Sequence, residues 1–159
     1  MNVPIQFITS PLDETEIAQL DTIEAFFFAY RDFVSDPDRL LSAYEFGRAH
    51  HRVLFFVNRQ PGLSVAELLE TLKITKQSLG RVLRQLIKAG YIIQNEGKND
   101  RRKRQLFPTF KGRELILKLS GPQSERITRA CENLSESERQ IIANFLTKMQ
   151  NLATNDNSS

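Results

Sequence analysis

The chain has 159 residues, 40% hydrophobic and 26% charged, the length and balance of one globular domain. No apolar run approaches the roughly 18–20 residues of a membrane span, the start Met1-Asn2-Val3-Pro4 lacks the basic and then apolar segments of a secretory leader, and the lone Cys131 excludes an intramolecular disulfide framework, so a cytoplasmic protein with no membrane partner is expected. The formal charge is only +3, yet Lys73 to Arg104 carries +8 and the remainder −5, and such a basic centre is the electrostatic footprint of a polyanion-binding face.

The apolar spacing of Leu12, Ile17, Leu20, Ile23 and Phe26-Phe27-Phe28 predicts a helix over 12–34, with Asp13 as its cap. Three consecutive Phe make that helix apolar over a wider arc than one small domain hides, which implies a second chain. Asp36-Pro37-Asp38 predicts a turn and a new helix start. From Asp38 to Arg59 the apolar positions fit one or two helices bent at Gly47, ended by Gln60-Pro61-Gly62. Ser64-Val65-Ala66-Glu67 is a capping box opening a short helix to Leu72. Thr75 caps the next helix, 75–89, which stops at Gly90. Two short helices joined at Lys73-Ile74 make a helix-turn-helix.

Tyr91-Ile92-Ile93-Gln94 reads as a strand and Gln105-Leu106-Phe107-Pro108 as its return, with a polar loop over 95–104 between them as a wing. A long helix follows Thr109, which Gly121-Pro122 should bend or break. Ser135-Glu136-Ser137-Glu138 is a second capping box. The helix it opens carries Ile141, Ile142, Phe145, Leu146, Met149 and Leu152 on one stripe.

Helix 75–89 buries Leu79, Val82, Leu83, Leu86 and Ile87 at i, i+3, i+4, i+7 and i+8. Its other face holds Thr75, Lys76, Gln77, Ser78, Arg81, Arg84, Gln85 and Lys88, without one carboxylate. A solvated helix face usually mixes signs to gain i,i+4 pairs. Lys and Arg instead suit phosphates and guanine edges, Gln suits adenine, and Ser and Thr serve either. Lys98, Arg101, Arg102, Lys103 and Arg104 cluster at the wing, where arginine suits the negative potential of a narrow minor groove. Asp100, the odd charge there, is read as structuring the wing by accepting from the turn backbone or holding a neighbouring Arg.

The other chemically suggestive residues carry less. His50 and His51 are adjacent, so on a helix they point about 100° apart and do not converge on one ion; no metal and no cofactor is expected. Cys131 lies between arginines and Glu132, an ambiguous setting for a reactive thiol. No phosphate loop, nucleophile elbow or zinc motif is present, so no enzyme is expected.

Taken together, the stretch from Pro61 to Gly112 resembles the MarR family of bacterial regulators. The resemblance rests on Gly62-Leu63-Ser64-Val65-Ala66-Glu67-Leu68, on the Thr75-to-Leu86 helix followed by Gly90-Tyr91-Ile92, and on Asp100-Arg101-Arg102 leading into Leu106-Phe107-Pro108-Thr109-Phe110-Lys111-Gly112. Asp100, Arg102, Thr109 and Gly112 match the family's wing signature; Pro108 stands where Leu is usual. The resemblance implies a homodimer with intertwined terminal helices. It also implies regulation: many relatives bind phenolic or other anionic small molecules between the dimer helices and the DNA-binding lobe, or sense oxidants through a Cys near the N-terminal helix, a role that does not carry over to Cys131.

The expectation is therefore a mainly α fold with a small antiparallel β-hairpin, a winged helix-turn-helix. It is one domain over 1–159, with dimerisation helices at 12–34 and 111–152 and a DNA-binding lobe over 38–110. Two such lobes would read a pseudo-palindrome in double-stranded DNA, with helix 75–89 in the major groove and the wing in the minor groove. The alternative is a winged-helix protein-interaction module that meets an acidic protein surface.

Overall fold

The computed structural model describes residues 8–97 and 103–150. Six helices surround a three-stranded sheet in the order α1 (Leu20–Ala43), α2 (Arg48–Arg59), β1 (Leu63–Ser64), α3 (Val65–Leu72), α4 (Lys76–Lys88), β2 (Ile92–Glu96), β3 (Arg104–Pro108), α5 (Phe110–Ala130), α6 (Glu136–Lys148). The fold is the expected mainly α winged helix, but the sheet has one strand more than a hairpin. β1 lies antiparallel to β3, with Leu63 opposite Leu106, so the strand order is β1-β3-β2. Two residues are too few to show alternation in a sequence, which is why this strand leaves no pattern there.

The long first helix departs from the sequence reading at both ends. Residues 14–19 form turns rather than helix, and Asp13 organises one of them by accepting from the Thr15 N–H at 2.8 Å. The start of α1 is held instead by Glu14, whose carboxylate accepts from the N–H groups of Gln19 at 2.8 Å and Asp21 at 3.2 Å. At the other end α1 runs straight through Pro37, where a turn was expected. Proline removes the N–H that would bond the carbonyl four residues back, here that of Phe33. That carbonyl accepts instead from Gln123 Nε2 of α5 at 3.0 Å, so the helix survives its proline. α5 likewise continues through Pro122, which frees the carbonyl of Lys118, an exposed residue.

The remaining ends follow the expected chemistry. Gly47 lies at the junction between two helices, as expected, and is the extended residue that opens α2. Ser64 and Glu67 close a capping box on α3, as do Ser135 and Glu138 on α6. Thr75 and Thr109 each accept, through their hydroxyls, from the N–H three residues on. Gly90 takes φ +78 after α4, the left-handed geometry that ends a helix without a Cβ clash.

The core is formed by Leu41, Val53, Leu54, Val57, Leu68, Leu79, Val82, Leu86, Ile92, Leu106, Leu115 and Leu119. Burying each such side chain contributes roughly 1.5–3 kcal/mol. It fixes α4 and the wing stem on one side of the lobe and passes through α2 to α5. The terminal helices are different. α6 has no buried residue, and Ile141, Ile142, Phe145, Leu146 and Met149 all stay exposed, as do Phe27 and Phe28 of α1. Phe26 meets Phe145, with ring centroids 6.0 Å apart. Leu152 lies outside the described residues.

Candidate nucleic-acid interface

α4 is pinned by its apolar stripe. Leu79, Val82, Leu83 and Leu86 are buried, which turns Lys76, Gln77, Arg81, Arg84 and Lys88 outward, all exposed. At its start Thr75 Oγ accepts from the Ser78 N–H at 3.1 Å and donates to Ser78 Oγ at 3.0 Å. That leaves Ser78 half-buried, with its hydroxyl occupied by the cap. Among the described residues the ion pairs are Arg31–Asp32, Arg48–Asp38 and Arg126–Asp36, and none draws on α4 or the wing stem. Among the described residues the cations of α4 thus have no carboxylate partner.

The wing stem faces the same way. β2 and β3 pair from Ile92–Pro108 out to Glu96–Arg104, and the Gly97 N–H donates to the Lys103 carbonyl at 2.7 Å. Lys103 and Arg104 are exposed there. Between this stem and α3–α4 runs an open groove of about 1040 Å³, with Lys76, Gly80, Arg84, Lys103 and Arg104 among its walls. Glu67 also faces it. Its carboxylate accepts from the Ser64 hydroxyl at 2.6 Å and N–H at 2.8 Å, and these bonds hold its pKa below the usual carboxylate value. Of the residues expected at the wing, Lys98, Asp100, Arg101 and Arg102 lie outside the described residues.

Gln85 stands apart from the other outward residues. Its Oε1 lies 2.7 Å from His50 Nε2 on α2, a contact across 35 residues of sequence that no local pattern signals. The neighbouring His51 turns elsewhere, with Nε2 3.3 Å from Ser120 Oγ on α5. The two imidazoles thus serve different contacts, and among the described residues no three His, Cys, Asp or Glu side chains gather around a common point. Cys131, half-buried, ends α5.

A second concavity, about 480 Å³, lies where α1, α2 and α5 meet. Tyr30, Phe33, Pro37 and Phe55 give it apolar walls, and Arg52 and the Arg48–Asp38 ion pair add charge at its side. Burial lowers the His51 pKa from its ordinary value, with Asp38 opposing. Among the described residues no helix is long and apolar enough to cross a membrane.

A sequence profile of the MarR family matches residues 44–103. The chain is 51% identical over 108 residues to the HTH-type transcriptional regulator PetP of Rhodobacter capsulatus, a stretch covering 68% of this chain and 65% of that one. The matched stretch is thus slightly under two thirds of that relative's length. Among solved structures, a MarR protein from Peptoclostridium difficile superposes with TM-score 0.69 at 23% identity, covering 90% of this chain and 92% of that one. FabT of Streptococcus pneumoniae, solved in complex with DNA, superposes with TM-score 0.68 at 18% identity, covering 80% and 92%.

Proposed function

We propose that the chain is a member of the MarR family, on its profile match and its identity to PetP, and that it is a dimeric transcriptional regulator that reads duplex DNA, not an enzyme. The observation that carries this reading is the outward face of α4. It presents Lys76, Gln77, Arg81 and Arg84 with no carboxylate among them and no described acid paired to them. A face of this kind is repelled by nothing on a phosphate backbone and carries the side chains that read major-groove edges.

In the proposed complex Thr75, Lys76, Gln77, Ser78, Arg81, Arg84 and Gln85 face the major groove. Arg102 enters the minor groove, with Lys98, Arg101, Lys103 and Arg104 on flanking phosphates and Asp100 shaping the wing. The groove between α4 and the wing stem takes the strand that separates major from minor groove. A second copy covers the exposed apolar stripes of α1 and α6, placing two α4 helices about one DNA turn apart. The cavity at the α1–α2–α5 junction takes a small aromatic or anionic effector, with Arg52 as its cation. Occupancy would favour a lobe spacing unsuited to DNA and so lower affinity by population shift. The protein works in the cytoplasm.

Selection of bound duplexes from a random DNA library, followed by titration at two salt concentrations, tests the reading. An enriched inverted repeat with half-sites about one turn apart is the expected result. Weak, salt-sensitive binding without any enriched repeat would instead favour the protein-interaction module.

A further inference from the structure

The first turn of α2 holds an imidazole with both ring nitrogens in use. His50 is 8% exposed, and its ring stacks on Phe46 with centroids 4.6 Å apart and planes 11° from parallel. The Gly47 N–H donates to Nδ1 at 3.1 Å. A ring nitrogen that accepts carries no hydrogen, so in the neutral ring the hydrogen sits on Nε2. Nε2 is therefore the donor in the 2.7 Å bond to Gln85 Oε1. The carboxamide of Gln85 is thereby oriented, with its oxygen turned to α2 and its NH2 left as the outward group. Gln85 is exposed and lies at i+4 from Arg81 and i+8 from Gln77, on the edge of the same outward face.

We propose that His50 is a positioning residue that turns the oxygen of Gln85 away and makes it read the major groove through its N–H groups. The inference rests on the reading of α4 as the helix that enters that groove. An unrestrained Gln offers an acceptor and a donor side by side, the pair that matches N6 and N7 of adenine. With one lone pair of its oxygen taken by His50 and that oxygen turned toward α2, Gln85 presents its N–H groups outward. These match N7 and O6 of guanine or O4 of thymine, and adenine keeps only half of its bidentate match. The base beneath Gln85 is thus selected by a residue that never touches DNA.

The test is library selection with the full chain and three variants. Gln85→Ala removes the reader. His50→Asn keeps an oxygen near the Nδ1 position for the Gly47 N–H but loses the Nε2 donor. His50→Gln places an N–H near Nε2. The wild type is expected to enrich guanine or thymine at one symmetric pair of positions. Gln85→Ala and His50→Asn are expected to relax that pair roughly 3–10-fold while leaving the other positions alone. His50→Gln is expected to retain the preference, a rescue that a merely structural role would not produce. Gln85→Ala, at an exposed position, and the base identity in the wild-type site decide the matter even where a His50 variant fails to fold. An enriched repeat untouched by Gln85→Ala, or adenine at the affected position, overturns the inference and leaves the DNA reading standing. No enrichment by the wild type overturns the DNA reading itself, and the inference with it.

Discussion

Gly112 is a residue whose missing side chain holds two elements together. A Cβ there would run into the backbone carbonyl oxygen of Tyr91, which already accepts from the N–H of Thr109 at 3.1 Å. A backbone atom has no rotamer to move aside, so Gly112→Ala must push α5 off the end of β2. The expected loss is about 1–3 kcal/mol, read as a lower urea midpoint; an unchanged midpoint would show that α5 is not clamped there. His51 gives a second residue-scale test, in pH. Burial lowers its pKa in the folded chain below the ordinary 6.5. Below about pH 6.5 the unfolded ring binds more protons than the folded one, so stability is lost as pH falls from that value toward the lowered folded one. His51→Gln carries no titrating ring. Urea midpoints from pH 7 to pH 5.5 should fall more steeply in the wild type than in this variant, and parallel curves would contradict the burial argument.

At the scale of elements, the starts of α3, α4, α5 and α6 were legible because each depends on a hydroxyl and an N–H three residues apart. Such chemistry is local, and a sequence displays it directly. α1 was not legible in the same way. Its persistence through Pro37 depends on Gln123, ninety residues on from the Phe33 carbonyl that it bonds, and its start depends on Glu14 reaching Gln19 and Asp21 where Asp13 was the expected cap. The candidate site divides likewise. The cationic composition of the α4 face is visible in its periodicity, while the His50–Gln85 bond is a tertiary contact with no local trace. The proline account makes a quantitative prediction. Gln123→Ala leaves the Phe33 carbonyl without its partner and should cost about 1 kcal/mol. In a Pro37→Ala background residue 37 regains the N–H for that carbonyl, so Gln123→Ala should cost distinctly less. Additive effects in this double-mutant cycle would mean that the two residues act separately.

The whole molecule has two kinds of surface. The lobe from α2 to the wing shares one apolar core with Leu41 of α1 and Leu115 and Leu119 of α5, whereas α1 and α6 also leave large apolar side chains uncovered. Exposed stripes of that kind are what a second copy would cover. Phe27→Asp together with Ile141→Asp places charges on both stripes while leaving the lobe core intact. Sedimentation equilibrium should then show the monomer mass, with the helical circular dichroism of the lobe retained. A dimer mass persisting in this variant would place the interface elsewhere.

α5 joins these surfaces as a single rod. Near its start, Thr109 and Lys111 bond the carbonyls of Gly90 and Ala89. Near its end, Gln123 and Arg126 hold Phe33 and Asp36 of α1. Its 21 residues make a shaft about 30 Å long. Pivoting about the α1 end by about six degrees carries the other end through roughly 3 Å, close to the 3.4 Å rise of one base pair. An adjustment of a few tenths of an ångström near the pivot would therefore be magnified, along this shaft, to the scale on which the two α4 helices of the proposed dimer would fall in or out of phase with a double helix.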